Sequence, residues 1–135
     1  MKWNWNTPAW ETPIGLADRV ELFCLPGSIV PEEGWPDTFW RHVSERHLLL
    51  GVEAQRVIRL FRELEPSEPA RCHLPPWGLA FYEWDTLLFA ATLCYECNNA
   101  YIYTAQGKEL RAFDPAGPNA ARLRDVLKQH LPLYG

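Results

Sequence analysis

Between Val52 and Glu65, apolar residues recur at three- and four-residue steps: Ala54, Val57, Ile58, Phe61 and Leu64. That spacing gathers them on one side of a helix. Arg56, Arg59, Arg62 and Glu63 fall mostly elsewhere, and Pro66 stops the run. A second helical period closes the chain in PNAARLRDVLKQHL, where Leu123, Val126, Leu127, His130 and Leu131 form an amphipathic stripe. Asn119 suits its N-cap and Pro132 its end. Between these helices the pattern changes. GLAFYEW, LLFAATLCYEC, AYIYT and KELRAF are rich in aromatic and β-branched residues, which favour a pleated surface. Trp84-Asp85-Thr86 supplies one tight turn. Ala105 to Lys108 supplies another, with Gly107 free to take positive φ.

The N-terminal half is less regular. DRVELFCL, Asp18 to Leu25, reads as a strand ending at Pro26-Gly27. Pro26 to Thr38 is a loop, and Thr38 to Glu45 is expected as a short helix. HLLLG fits a helix or a strand, and Gly51 favours neither. At 135 residues the chain is expected to be one domain, 1–135. It would comprise a Trp/Pro-rich arm over 1–17 and a sheet plus C-terminal helix over 71–131. The fold class these elements predict is α+β: an antiparallel β-sheet meander with helices packed on one face.

Composition narrows the function classes. Hydrophobic residues make up 47% of the chain, enough for a core. No apolar run approaches the ~18 residues of a membrane span, and MKWNWNTPAW lacks the apolar stretch of a secretory signal. No membrane partner and a cytoplasmic address are therefore expected. Thirteen basic against seventeen acidic residues give −4, with the arginines scattered through helix-like segments. Nucleic-acid binders usually show a basic face, so no nucleic-acid partner is expected. Seven tryptophans and twelve prolines stand out. Trp3, Trp5 and Trp10, with Pro8 and Pro13, either plug the core or form an exposed aromatic arm for a partner.

Cys94 and Cys97 raise the question of chemistry. In an unbroken strand, residues three apart point to opposite faces, so the two could neither share an ion nor bond to each other. A turn or bulge would change that, and Asn98-Asn99 could supply one. A structural zinc site wants four ligands, often as two close pairs. Cys72 and His73 are adjacent and diverge, so the zinc pattern is incomplete. A redox pair would need a basic neighbour or a helix N-terminus, whereas Glu96 opposes a thiolate. The expectation is four reduced, buried cysteines acting as small hydrophobes. The competing reading is a zinc-binding or thiol-dependent module on Cys72, Cys94 and Cys97.

No nucleophile elbow or phosphate loop occurs, and the glycines stand singly. His42 and His47 are five apart, not the four of a helical metal pair. His130 belongs to the last helix's stripe or to its C-terminal turn. His73, beside Cys72, could serve a Cys/His site with Cys94 or Cys97 as nucleophile, though nothing in the spacing requires it. The reading is therefore a non-enzyme with no cofactor.

RCHLPPWGLAFYEW, then LCYECNNAYIYT, then LRAFD after Gly107 set an order of motifs. It runs Cys-x-x-Pro, Gly-Leu, strand, Cys-x-x-Cys-Asn, strand, Gly, strand, final helix. Over Arg71 to Leu131 this resembles small bacterial immunity proteins encoded beside toxins of type VI secretion or other polymorphic toxin systems. The resemblance implies a protein partner, the cognate effector toxin, inhibited by occlusion. Loops on a rigid scaffold usually carry such surfaces. The segment IVPEEGWPDTFW is the candidate: Glu32, Glu33 and Asp37 could pair with a basic toxin cleft, and Trp35 and Trp40 could anchor it. The competing reading turns Trp35 into the core and leaves the acids in water.

Overall fold

The computed structural model of this chain describes residues 11–25, 40, 43–68 and 76–131. In chain order the elements are α1 (Glu11–Ile14), β1 (Arg19–Cys24), β2 (Arg46–Leu50), α2 (Gly51–Arg62), β3 (Trp77–Glu83), β4 (Thr86–Cys94), β5 (Asn99–Thr104), β6 (Gly107–Ala112) and α3 (Pro118–His130). The strands form one sheet in the order β2-β1-β3-β4-β5-β6, with every neighbouring pair antiparallel. β3 to β6 are the expected meander, and the α+β class holds. No described helix is long and apolar enough to cross a membrane.

Alternation decides which face each strand residue serves. On one face Val20, Leu22, Leu79, Phe81, Phe89, Ala91, Leu93 and Ile102 are buried against Ala54, Val57, Ile58 and Phe61 of α2 and Leu123, Val126 and Leu127 of α3. Phe81 stacks on Phe89 with centroids 4.6 Å apart, and Phe61 tilts onto Phe81 at 5.1 Å. Each such ring contributes about 1.5–3 kcal/mol by leaving water. That outweighs helix propensity as the reason both helices lie here. The opposite face buries Phe23, Leu25, Ala80, Ala90 and Tyr103, with Trp40, Val43, Tyr82, Leu87 and Tyr101 packed against them. Phe23 lies flat on the sheet backbone: a Cβ at Gly78, its register partner, would collide with the ring.

Two long-range contacts fasten the helix ends. Arg111 of β6 donates from Nη1 to the Phe61 carbonyl (2.6 Å) and from Nη2 to those of Arg62 (2.9 Å) and Leu64 (3.3 Å). These carbonyls lie at and just beyond the end of α2, where the helix ladder runs out; that of Phe61 also accepts from the Leu64 N–H at 3.4 Å. Burial pulls Arg111 down to about 10, with Glu11 opposing the shift, so it stays charged at neutral pH. At the start of α3, Glu65 Oε2 accepts from the Asn119 N–H (3.2 Å) and Oε1 from the Ala120 N–H (3.4 Å). A negative group belongs at that helix end.

Several expectations change. Asn119 is not the N-cap. Gly117 occupies that position without a side-chain cap bond, Pro118 follows it, and the capping carboxylate comes from Glu65. A Cβ at Gly117 would strike the Glu65 carboxylate. HLLLG resolves as strand β2, with Gly51 at φ 60° turning the chain into α2. Of the expected helix from Thr38 to Glu45, Trp40 has 3₁₀ geometry, residues 43–45 are irregular, and the other positions lie outside the described residues. The Trp84-Asp85 turn and Gly107 at positive φ are as read, whereas β4 breaks off at Cys94, ahead of a Cys94–Cys97 segment that was expected to be strand interior.

That break corrects the account of the cysteines. β4 ends at Cys94, residues 95–98 form a turn, the Cys97 N–H donates to the Cys94 carbonyl (3.3 Å), and Asn98 is left-handed at φ 53°. Cys24 and Cys94 are free and buried, but Cys97 is disulfide-bonded. The turn takes Cys97 out of the strand's alternation, so it is not a plain interior side chain. Trp3, Trp5, Trp10, Cys72, His73 and Pro132 lie outside the described residues.

Candidate interaction surface

Of the residues expected to bind a partner, Glu32, Glu33, Trp35 and Asp37 lie outside the described residues, and Trp40 is placed. It is half-buried, edge-on to Phe23 with centroids 5.5 Å apart. The Arg46 guanidinium lies 5.0 Å from its ring centroid. Arg46 is held from the other side by Glu21, whose Oε1 accepts from Nε (2.9 Å) and Nη2 (2.6 Å). Those bonds raise the Arg46 pKa above its ordinary value. Burial raises that of Tyr82, which lies beside the same charges.

A second unit of the same kind stands at the other end of β1. The Arg19 guanidinium lies 4.8 Å from the Trp84 ring centroid and pairs with Asp18 at 3.0 Å. The other bond to Asp18 Oδ1 comes from the Trp84 backbone N–H, at 2.9 Å. That bond is the main reason the Asp18 carboxyl is held below its ordinary range. Trp84 itself sits at φ 56°, where a glycine or asparagine is usual. The turn therefore holds a tryptophan in a costly conformation and leaves it 68% exposed.

Arg19, Glu21 and Phe23 alternate along β1 on the face that no described helix covers, the helix-free face among the described residues, so both units share it. Leu50 is the register partner of Arg19 and Leu48 that of Glu21, and both are exposed. Leu16, ahead of β1, and Val52, after β2, are exposed as well. A face mixing exposed apolar side chains, tryptophans and internally paired charges suits a protein surface. Aromatic rings and arginine are what interface centres favour. The sequence offered two signals for it: polar Arg19 and Glu21 alternating inside an otherwise apolar strand, and a tryptophan where a turn residue belongs.

Among the described residues the remaining chemistry-bearing groups do not gather into a site. Burial pushes the Cys24 thiol up to about 12, which leaves it without thiolate character. The disulfide at Cys97 removes one thiol from the proposed Cys72, Cys94 and Cys97 module. His47 of β2 stacks on His130 at the end of α3 with ring centroids 4.2 Å apart, and Glu53 lies 3.7 Å from His130. Among the described residues, no three His, Cys, Asp or Glu side chains are placed to hold a metal ion. A cleft of ≈ 310 Å³ lined by Glu11, Arg59, Arg62 and Glu63 balances two acids against two bases. Compared with protein-family models, with curated proteins and with solved structures, the chain finds no match.

Proposed function

We propose that this protein acts by binding: it is an immunity protein that occludes the active site or substrate path of a cognate effector toxin and performs no chemistry of its own. The observation that carries the reading is Trp84. A side chain 68% exposed, on a backbone at φ 56°, pinned by Asp18 and overlaid by Arg19, has no packing reason to be tryptophan. A contact partner supplies one. The motif order over Arg71 to Leu131 adds the identity of that partner. Glu32, Glu33, Trp35 and Asp37 precede Trp40 in the sequence and are part of the same proposal.

A cytoplasmic address belongs to the same proposal, and the Cys97 disulfide weighs against that part of it, since such bonds persist in oxidising compartments. The deciding experiment begins with the open reading frames beside the gene. A neighbouring toxin should co-purify with this chain and lose its toxicity on co-expression. Trp84→Ala should weaken that complex by about 2 kcal/mol or more, the scale of an interface anchor. Trp35→Ala and Glu33→Arg test the loop in the same assay. A complex that all three changes leave intact would place the contact elsewhere, and a neighbourhood with no toxic product would remove the reading itself.

A further inference from the structure

The two outer strands of the sheet are built differently. β6 carries Lys108, Glu109 and Arg111 in six residues, and charges of this kind are the usual guard against unwanted strand pairing. β2, at the opposite edge, reads Arg46-His47-Leu48-Leu49-Leu50. It has no lysine or proline, and its register with β1 runs without a bulge. Four of its five residues are exposed, with Leu48 and Leu50 at 49% and 54%. Its inner side is paired with β1. Among the described residues no strand occupies its outer side, where an edge strand offers a row of unpaired N–H and C=O groups.

We infer that β2 is a self-association edge: a second copy of this chain pairs with it antiparallel about a two-fold axis, continuing the sheet from one copy into the next. Gly51 turns the chain into α2 at φ 60°, so the pairing segment is confined to these five residues. A five-residue strand paired with itself about its centre sets Leu48 against Leu48 of the second copy. Arg46 then faces the second copy's Leu50.

Charge selects this occupant. About this axis only Leu48 meets its own mate and Arg46 meets an apolar leucine, so the two-fold contact sets no like charges directly opposite each other. Here Arg46 is tied to Glu21 at 2.6 Å, and Arg19, opposite Leu50, to Asp18 at 3.0 Å. The edge is thus apolar and internally neutralised, which suits a copy of itself. A partner chosen by charge would find nothing to read. Pairing edge to edge adds nothing over either face of the sheet, so the Trp84 and Arg19 units of two copies would lie on one continuous face opposite α2 and α3. The inference stands whether or not the protein inhibits a toxin.

The test is sedimentation of the full chain across micromolar to several hundred micromolar concentrations, combined with amide hydrogen exchange. Wild type should reach twice the monomer mass. The amides of residues 46–50 should gain protection with concentration while those of β6 do not. Leu48→Lys, at an exposed position, should weaken self-association at least tenfold by setting two ammonium groups face to face. Leu110→Lys on β6 should leave it unchanged. A monomer at every concentration would overturn the inference. So would a dimer that Leu48→Lys leaves intact, or concentration-dependent protection elsewhere than β2. The wild-type exchange experiment decides the matter even if the variant folds poorly.

Discussion

The two faces of the sheet use polar groups in opposite ways. On the helix-covered face, charged side chains appear where helices end: Glu65 at the start of α3 and Arg111 at the end of α2. They complete backbone hydrogen bonding and are fixed by it. On the helix-free face, Arg19 and Arg46 lie over tryptophans, paired with acids and reachable from solvent. No described helix end there needs them. The first arrangement explains why the chain folds, and the second has no such explanation within the fold. Function is therefore best sought on the second.

Substitutions can break this contrast, beginning with the largest effect. Phe81→Ala removes a fully buried ring stacked between Phe61 and Phe89 and should cost about 3–5 kcal/mol in a urea titration. Arg111→Met keeps the aliphatic packing and strips a donor from three carbonyls, for an expected loss of about 1–3 kcal/mol.

Glu65→Gln should cost about 1 kcal/mol, the scale of a helix cap. Burial pushes the Glu65 carboxyl up, but the N–H groups of Glu65, Asn119 and Ala120 outweigh it, so its folded-state pKa lies below the ordinary value. The unfolded chain then takes up the proton first as pH falls. The stabilisation is complete above the ordinary glutamate pKa of about 4.3 and is lost on acidification through the folded pKa. Gln at 65 should flatten that part of the stability–pH curve.

On the other face, Trp84→Gly should change stability by less than about 0.5 kcal/mol. Relief of the left-handed backbone, roughly 1 kcal/mol, offsets a lost exposed cation–π contact of about 0.5–1 kcal/mol. A loss above about 2 kcal/mol would make Trp84 part of the fold and erase the contrast.

Much of this architecture is legible along the chain, because periodicity is a local signal. Val57, Ile58 and Phe61 at helical steps, and the aromatic runs of β3 to β5, announced their elements directly. β2 did not, since three consecutive leucines carry neither a two-residue nor a 3.6-residue period. Asn119 was misread for a different reason: the α3 cap arrives from Glu65, 54 positions earlier, beyond any local pattern. The turn at Cys97 could be named as an alternative, but whether its thiol would be oxidised depends on what folds against it. For the proposed binding surface, Trp40 was picked as an aromatic of the IVPEEGWPDTFW segment. Arg19, Glu21, Arg46 and Trp84 were missed because their pairing needs the register between β1, β2 and β3.

The cluster around Glu63 and Glu65 has a consequence for how the chain is made. Arg111 stands 49 positions after Arg62, and Asn119 lies further on. A ribosome must therefore deliver β3 to β6 and the first turn of α3 before the end of α2 acquires its donors. Until then α2 is an amphipathic segment with an open terminus and an apolar stripe that β1 and β2 cover only in part. Stable structure should accordingly arise late in synthesis and in one step, and nascent chains stopped short of Arg111 should remain open to protease in the α2 segment.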